Sequence, residues 1–138
     1  MLAKKINFKM GFKKYELYMY ANLTLVLGNS GCGKSFLYEE LSKLSAAQDD
    51  IKIRCINAFS GYNNDDLQKL FTNSTDILFV IDNADIILDD YLRMLISLDG
   101  RNQYIVFTHT IHGYKPKADS FVFFEINDNI GKFSKMVR

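Results

Sequence analysis

Several protein classes are excluded by what this sequence has little of. It contains a single proline, Pro116, and no Pro/Gly-rich linker, low-complexity tract or internal repeat, so its 138 residues are expected to form one compact unit spanning 1–138. Two cysteines, Cys32 and Cys55, are too few for a disulfide framework. No charged start followed by an apolar run marks a signal peptide, which leads to the expectation of a cytoplasmic, reducing setting. The longest uninterrupted aliphatic and aromatic run, Ile77-Leu78-Phe79-Val80-Ile81, is far short of the roughly 20 residues that span a bilayer, so no membrane span is expected. Seventeen Lys and Arg against sixteen Asp and Glu leave a net charge of +1, which removes the global argument for a nucleic-acid or membrane-surface protein. Apolar bulk is what the chain does have: 48% hydrophobic residues, with 11 Phe and 8 Tyr to fill a core without staples.

Periodicity divides the chain into strands and helices. Ile6, Phe8 and Met10, then Tyr15, Leu17 and Met19, alternate with period two around a turn at Gly11, which predicts a β-hairpin. Leu23 to Leu27 reads as a buried strand, and Phe36, Leu37, Leu41 and Leu44 recur at helical spacing up to about Ala47. Residues 51–56 alternate as a strand. Asn63-Asn64-Asp65-Asp66 supplies cap candidates and first-turn charge for a helix through Leu67, Leu70 and Phe71. The uniformly apolar segments 77–81 and 104–107 suit strands covered on both faces, with an amphipathic helix from Ile87 to Ile96 between them, ending at Gly100. A last strand is predicted over 120–126, followed by a turn at 127–129 and a short return through 131–133. Strands alternating with helices predict an α/β fold with a largely parallel sheet and helices on both faces, made mixed by the antiparallel hairpin at its front.

Gly28-x-x-x-x-Gly33-Lys34-Ser35 fits the Walker A pattern and lies between a predicted strand and a predicted helix, the context that motif requires. Glycines at 28, 31 and 33 let backbone N–H groups converge on phosphate oxygens, and the helix start adds unpaired amides and its positive dipole end. On this reading Gly28, Asn29, Ser30, Gly31, Cys32, Gly33, Lys34, Ser35 and Phe36 form the nucleotide-binding segment. Lys34 reaches the β- and γ-phosphates, and Ser35 ligates Mg²⁺. Cys32 is either a thiol made reactive by the helix terminus or a small filler.

The same chemistry needs a carboxylate to hold Mg²⁺, and Asp82, directly after the apolar run 77–81, stands where a neighbouring buried strand would deliver it. The next residue is Asn83, an amide that cannot act as a general base, which predicts slow hydrolysis or none. Asp85 is either a substitute carboxylate or a cap for a helix from Ile86.

In order as well as motif, the sequence resembles the nucleotide-binding core of the ABC-type ATPases. The corresponding pieces are an antiparallel β-element (6–20), Walker A (28–35), Walker B (77–82), the loop Leu88-Asp89-Asp90, and a strand ending at His109. The resemblance implies a P-loop NTPase three-layer fold, ATP and Mg²⁺ as cofactors, and a γ-phosphate-sensing role for His109 beside Lys34 and Asp82. His112 has no comparable support. Two departures stand out: Asn83 replaces the family's glutamate, and residues 36–76 leave no room for the helical subdomain that bears the family signature. Phe59-Ser60-Gly61-Tyr62 echoes that signature only faintly and reads as a loop and cap. The resemblance further implies two copies sandwiching ATP, so a homodimer and a hetero-partner are both open. A small-molecule kinase is disfavoured because Arg54, Arg93, Arg101 and Arg138 are scattered rather than gathered in a lid, and a GTPase because no Asn-Lys-x-Asp segment is present. Lys4, Lys5, Lys9, Lys13 and Lys14 read either as a contact surface for nucleic acid or an acidic partner, or as edge protection.

Overall fold

The computed structural model describes residues 4–28, 34–47 and 52–135. In chain order it contains strands β1 (Lys5–Met10), β2 (Lys13–Tyr18) and β3 (Leu23–Leu27), helix α1 (Lys34–Ala47), β4 (Lys52–Ile56), α2 (Asn64–Asn73) and β5 (Ile77–Ile81). There follow α3 (Ala84–Ile87), α4 (Asp90–Leu98), β6 (Gln103–Phe107), β7 (Phe121–Asn127) and β8 (Ile130–Lys135). All eight strands join one sheet in the order β1-β2-β8-β7-β3-β6-β5-β4.

The hairpin β1–β2 forms around Gly11, whose φ of 62° lies in the left-handed region that a glycine enters freely. A second hairpin, β7–β8, turns through Asp128 and Asn129, both at positive φ as a tight two-residue turn demands. Its returning strand β8 then pairs in parallel with β2, stitching the first hairpin to the rest of the sheet. The remaining ladders, β7 with β3, β3 with β6, β6 with β5 and β5 with β4, are parallel.

The expected three-layer P-loop NTPase fold is corrected by this architecture. The sheet is mixed and curls into a half-barrel, four of its eight strands belong to antiparallel hairpins, and strand residues outnumber helical ones among the described residues. The physical reason lies in residues 128–135. A tight turn lets β8 fold back between β7 and β2, so that a segment read as a short return becomes a full strand and brings a second antiparallel ladder into the sheet.

Alternation along the central strands sends side chains to two cores. Val26, Leu78, Val80, Ile105 and Phe107 face one side with Tyr15, Leu17 and Met19 of the hairpin and Leu37 and Leu41 of α1. Leu25, Phe79, Ile81, Tyr104 and Val106 face the other with Leu67 and Phe71 of α2 and Leu92 and Ile96 of α4. Asn63 caps α2 through a reciprocal pair with Asp66, its Oδ1 accepting from the Asp66 N–H at 2.8 Å while the Asp66 carboxylate accepts from its own N–H at 3.1 Å. The single helix predicted over 87–96 is two: the backbone leaves helical geometry at Leu88, and Asp89 starts α4 by accepting from the Leu92 N–H at 2.8 Å. No helix among the described residues is long and apolar enough to cross a membrane.

Candidate functional site

Because β3, β4, β5, β6 and β7 run parallel, their carboxyl ends share one edge of the sheet, where α/β proteins commonly bind ligands. Gly28 follows β3 there with φ 140°, Asp82 follows β5, and His109 lies two residues beyond β6. The strand β6 separates β3 from β5, so the Gly28 and Asp82 backbones emerge two strand spacings apart, about 10 Å. Asn29, Ser30, Gly31, Cys32 and Gly33 lie outside the described residues. Lys34 and Ser35 form the first residues of α1.

Two interactions bear on this edge. Tyr38, one helical turn beyond Lys34 and Ser35, is pushed up to about 12 first by burial, with Cys55 and Asp82 adding to the rise and a hydrogen bond with Ser42 opposing it. Phe36 is half exposed, and the Lys13 ammonium of the hairpin sits 4.0 Å from its ring centroid, so the β1–β2 turn also reaches this edge. Phe12, at the tip of that turn, is 97% exposed.

Around Asp82 the backbone is held from both sides. The Asp82 N–H donates to the Ile56 carbonyl at 2.9 Å, continuing the β4–β5 ladder, and the Asp82 Oδ1 accepts from the Asn83 N–H at 2.9 Å. Asn83 adopts the left-handed conformation, φ 56°, which Asn tolerates better than most residues. Its Oδ1 accepts from the Ala58 N–H at 3.2 Å, tying the loop after β4 to the end of β5. That loop is a set of local turns: the Asn57 side chain accepts from the Phe59 N–H, the Ser60 hydroxyl accepts from the Asn57 N–H, and Tyr62 accepts from Arg54.

Asp85 neither caps Ile86, whose N–H donates to the Asn83 carbonyl, nor stands open as a base. Its carboxylate accepts from the Thr108 hydroxyl at 2.6 Å and from the His109 N–H at 3.0 Å, clamping the end of β6 to α3. The His109 residue is exposed. His112 lies within 3.5 Å of the Asp90 carboxylate, both groups largely in solvent.

Sequence reasoning missed the Asp85 clamp and the role of Arg93. Arg93 is buried, and its guanidinium donates to the carbonyls of Leu88 at 2.9 Å, His112 at 3.0 Å and Asp85 at 3.4 Å while lying 5.5 Å from the Tyr114 ring centroid. One side chain thus satisfies carbonyls left over where α3 ends and fixes the loop after His109. A signal was available, since Arg93 directly follows Leu92 on the apolar side of α4, where a charge calls for partners.

Among the described residues no group of three or more His, Cys, Asp or Glu side chains clusters as a metal cage. Mg²⁺ bound to nucleotide needs no such cage, because phosphate oxygens, water and one or two protein oxygens complete its octahedron. The Asp82 carboxylate, half-buried at the end of β5, would supply that limited share. This edge of the mixed sheet thus has a glycine-rich sequence after β3 and a carboxylate after β5, with β6 between them. Neither a protein-family model, nor a curated protein, nor a solved structure matches the chain.

Proposed function

We propose that this chain binds ATP·Mg²⁺ through Gly28–Ser35 and Asp82 and uses it as a slowly cycling switch that acts with a partner. The observation that supports this reading is placement: Gly28 follows β3 and Asp82 follows β5 at the same edge of the parallel strands, with α1 starting at Lys34. Backbone amides and Lys34 would neutralise the phosphates, Ser35 and Asp82 would hold Mg²⁺, and His109 would approach the γ-phosphate from the end of β6.

Slow turnover follows from Asn83. Its side-chain oxygen is already engaged with the Ala58 N–H, and an amide has no basicity to activate water. The same observation favours, as a second reading, a regulatory module that binds ATP without hydrolysing it.

Lys34→Ala should abolish nucleotide binding measured by calorimetry, and micromolar ATP affinity retained in that variant would sink the assignment. Asn83→Glu should raise phosphate release while lowering stability by about 1 kcal/mol, since glutamate fits the left-handed backbone at 83 less well than asparagine. An unchanged release rate would favour the non-hydrolysing module.

A further inference from the structure

Charge in this chain is nearly balanced overall and strongly unbalanced in place. Residues 1–20 carry five lysines and one glutamate, whereas residues 57–100 carry eight aspartates against Lys69 and Arg93. The basic set lies on the β1–β2 hairpin. There Lys9 and Lys14 stand directly opposite each other, a like-charge pairing that costs stability. Glu16 is the acid within reach, at 3.4 Å from Lys14 and 4.0 Å from Lys132, and no ion pair of Lys4 or Lys9 is formed among the described residues.

The acidic set flanks one end of an apolar face left exposed among the described residues. Helix α4 buries Leu92 and Ile96 inward, yet Tyr91, Met94 and Leu98 recur at helical spacing on its outer side, at 49%, 38% and 71% exposure, beside Ile86 of α3 at 77%. Asp65, Asp89 and Asp90 are exposed at the same ends of α2 and α4. The hairpin forms one edge of the sheet, and β8, β7 and β3 separate it from β6 and β5, over which α4 packs, so the two surfaces lie apart within one molecule.

We propose that the Lys-rich hairpin of one copy docks on the acidic, apolar α3–α4 face of a second copy. Charge complementarity selects the partner, the exposed Phe12 ring at the hairpin tip supplies apolar area, and the contact is heterologous, joining two different patches.

The test uses the full chain in analytical ultracentrifugation. Wild type should associate as concentration rises at low salt and revert to monomer by about 0.5 M NaCl, where screening is strong. A hairpin variant, Lys5→Glu with Lys9→Glu, and a helix-face variant, Ile86→Lys with Leu98→Lys, alter exposed positions and should keep the wild-type thermal transition. Each should self-associate at least tenfold more weakly. Mixed in equal amounts they should form a one-to-one pair, because each retains the patch the other has lost. A wild type that stays monomeric at every concentration and salt overturns the proposal, as does a mixture that stays monomeric or a variant that associates like wild type.

Discussion

On the side of the sheet covered by α2 and α4, Phe71, Phe79 and Tyr104 meet at centroid distances of 5.0 to 5.5 Å, with Phe71 edge-on to the other two rings. On the side covered by α1, Phe8, Tyr15 and Phe124 lie in a parallel stack at 4.6 and 6.3 Å. Both clusters contain a fully buried tyrosine, and the two hydroxyls fare differently. Tyr104 donates to Asp99 at 2.6 Å, and Asp99 also accepts from the Asn102 side chain at 2.9 Å and the Arg101 N–H at 2.8 Å. Burial pushes the Asp99 carboxyl up, but these bonds and the Arg101 charge outweigh it and hold the group below the ordinary value. Among the described residues the Tyr15 hydroxyl has no hydrogen-bond partner of ordinary geometry, although Glu40 is near enough to add to the rise that burial gives it. One cluster is fastened by a polar anchor that ties the end of α4 to β6. The other rests on shape.

The sharpest cut is Phe71→Ala, which should cost about 4 kcal/mol in urea unfolding, because a ring that touches both other members of the anchored cluster leaves a cavity. A loss under about 1 kcal/mol would mean that this cluster does not organise its side of the sheet. Gly131→Ala probes the shape-dependent cluster: a Cβ there would stand 2.7 Å from Tyr15 Cδ1 and 3.1 Å from Phe124 Cε1, and the stacked rings have no room to yield. About 2 kcal/mol of destabilisation by overpacking is expected, and a neutral result would show a looser stack. Smallest is the hydroxyl comparison. Tyr104→Phe should cost about 1.5 kcal/mol by removing a donor to a carboxylate, whereas Tyr15→Phe should be close to neutral at pH 7. Burial first and Glu40 second raise Tyr15 to about 12, so its protonated form stabilises the fold fully below pH 10 and less as pH climbs towards 12. Tyr15→Phe should flatten that alkaline loss in a stability–pH profile.

What could be read from the sequence follows the range of the forces involved. Period-two alternation located the first hairpin, and uniformly apolar runs located β5 and β6, because both patterns record local burial. The cap at Asn63 was equally local. The break at Leu88 was hidden because Ile87, Leu88, Tyr91 and Leu92 keep helical spacing across it, and only Asp89 marks the restart. The pairing of β2 with β8, which joins the first hairpin to a second antiparallel one in the curled sheet, depends on a partner far away in sequence and leaves no periodic trace. At the candidate site, the glycine loop and Asp82 were legible as motifs. The contacts of Asp85 and Arg93 were not, since each acts on backbone groups of a distant loop.

The place of β8 has a consequence for how the chain acquires its structure. Among the described residues the β1–β2 hairpin joins the remainder of the sheet through one three-residue ladder, made by residues 130–132, separated from it by nearly the whole described chain. A two-stranded hairpin is marginal alone in water. The first hairpin must therefore wait for the last strand, which raises the loop-closure entropy of that step and predicts slow, late docking of the hairpin. During that interval the ring of Tyr15 and the lysines around it remain uncovered.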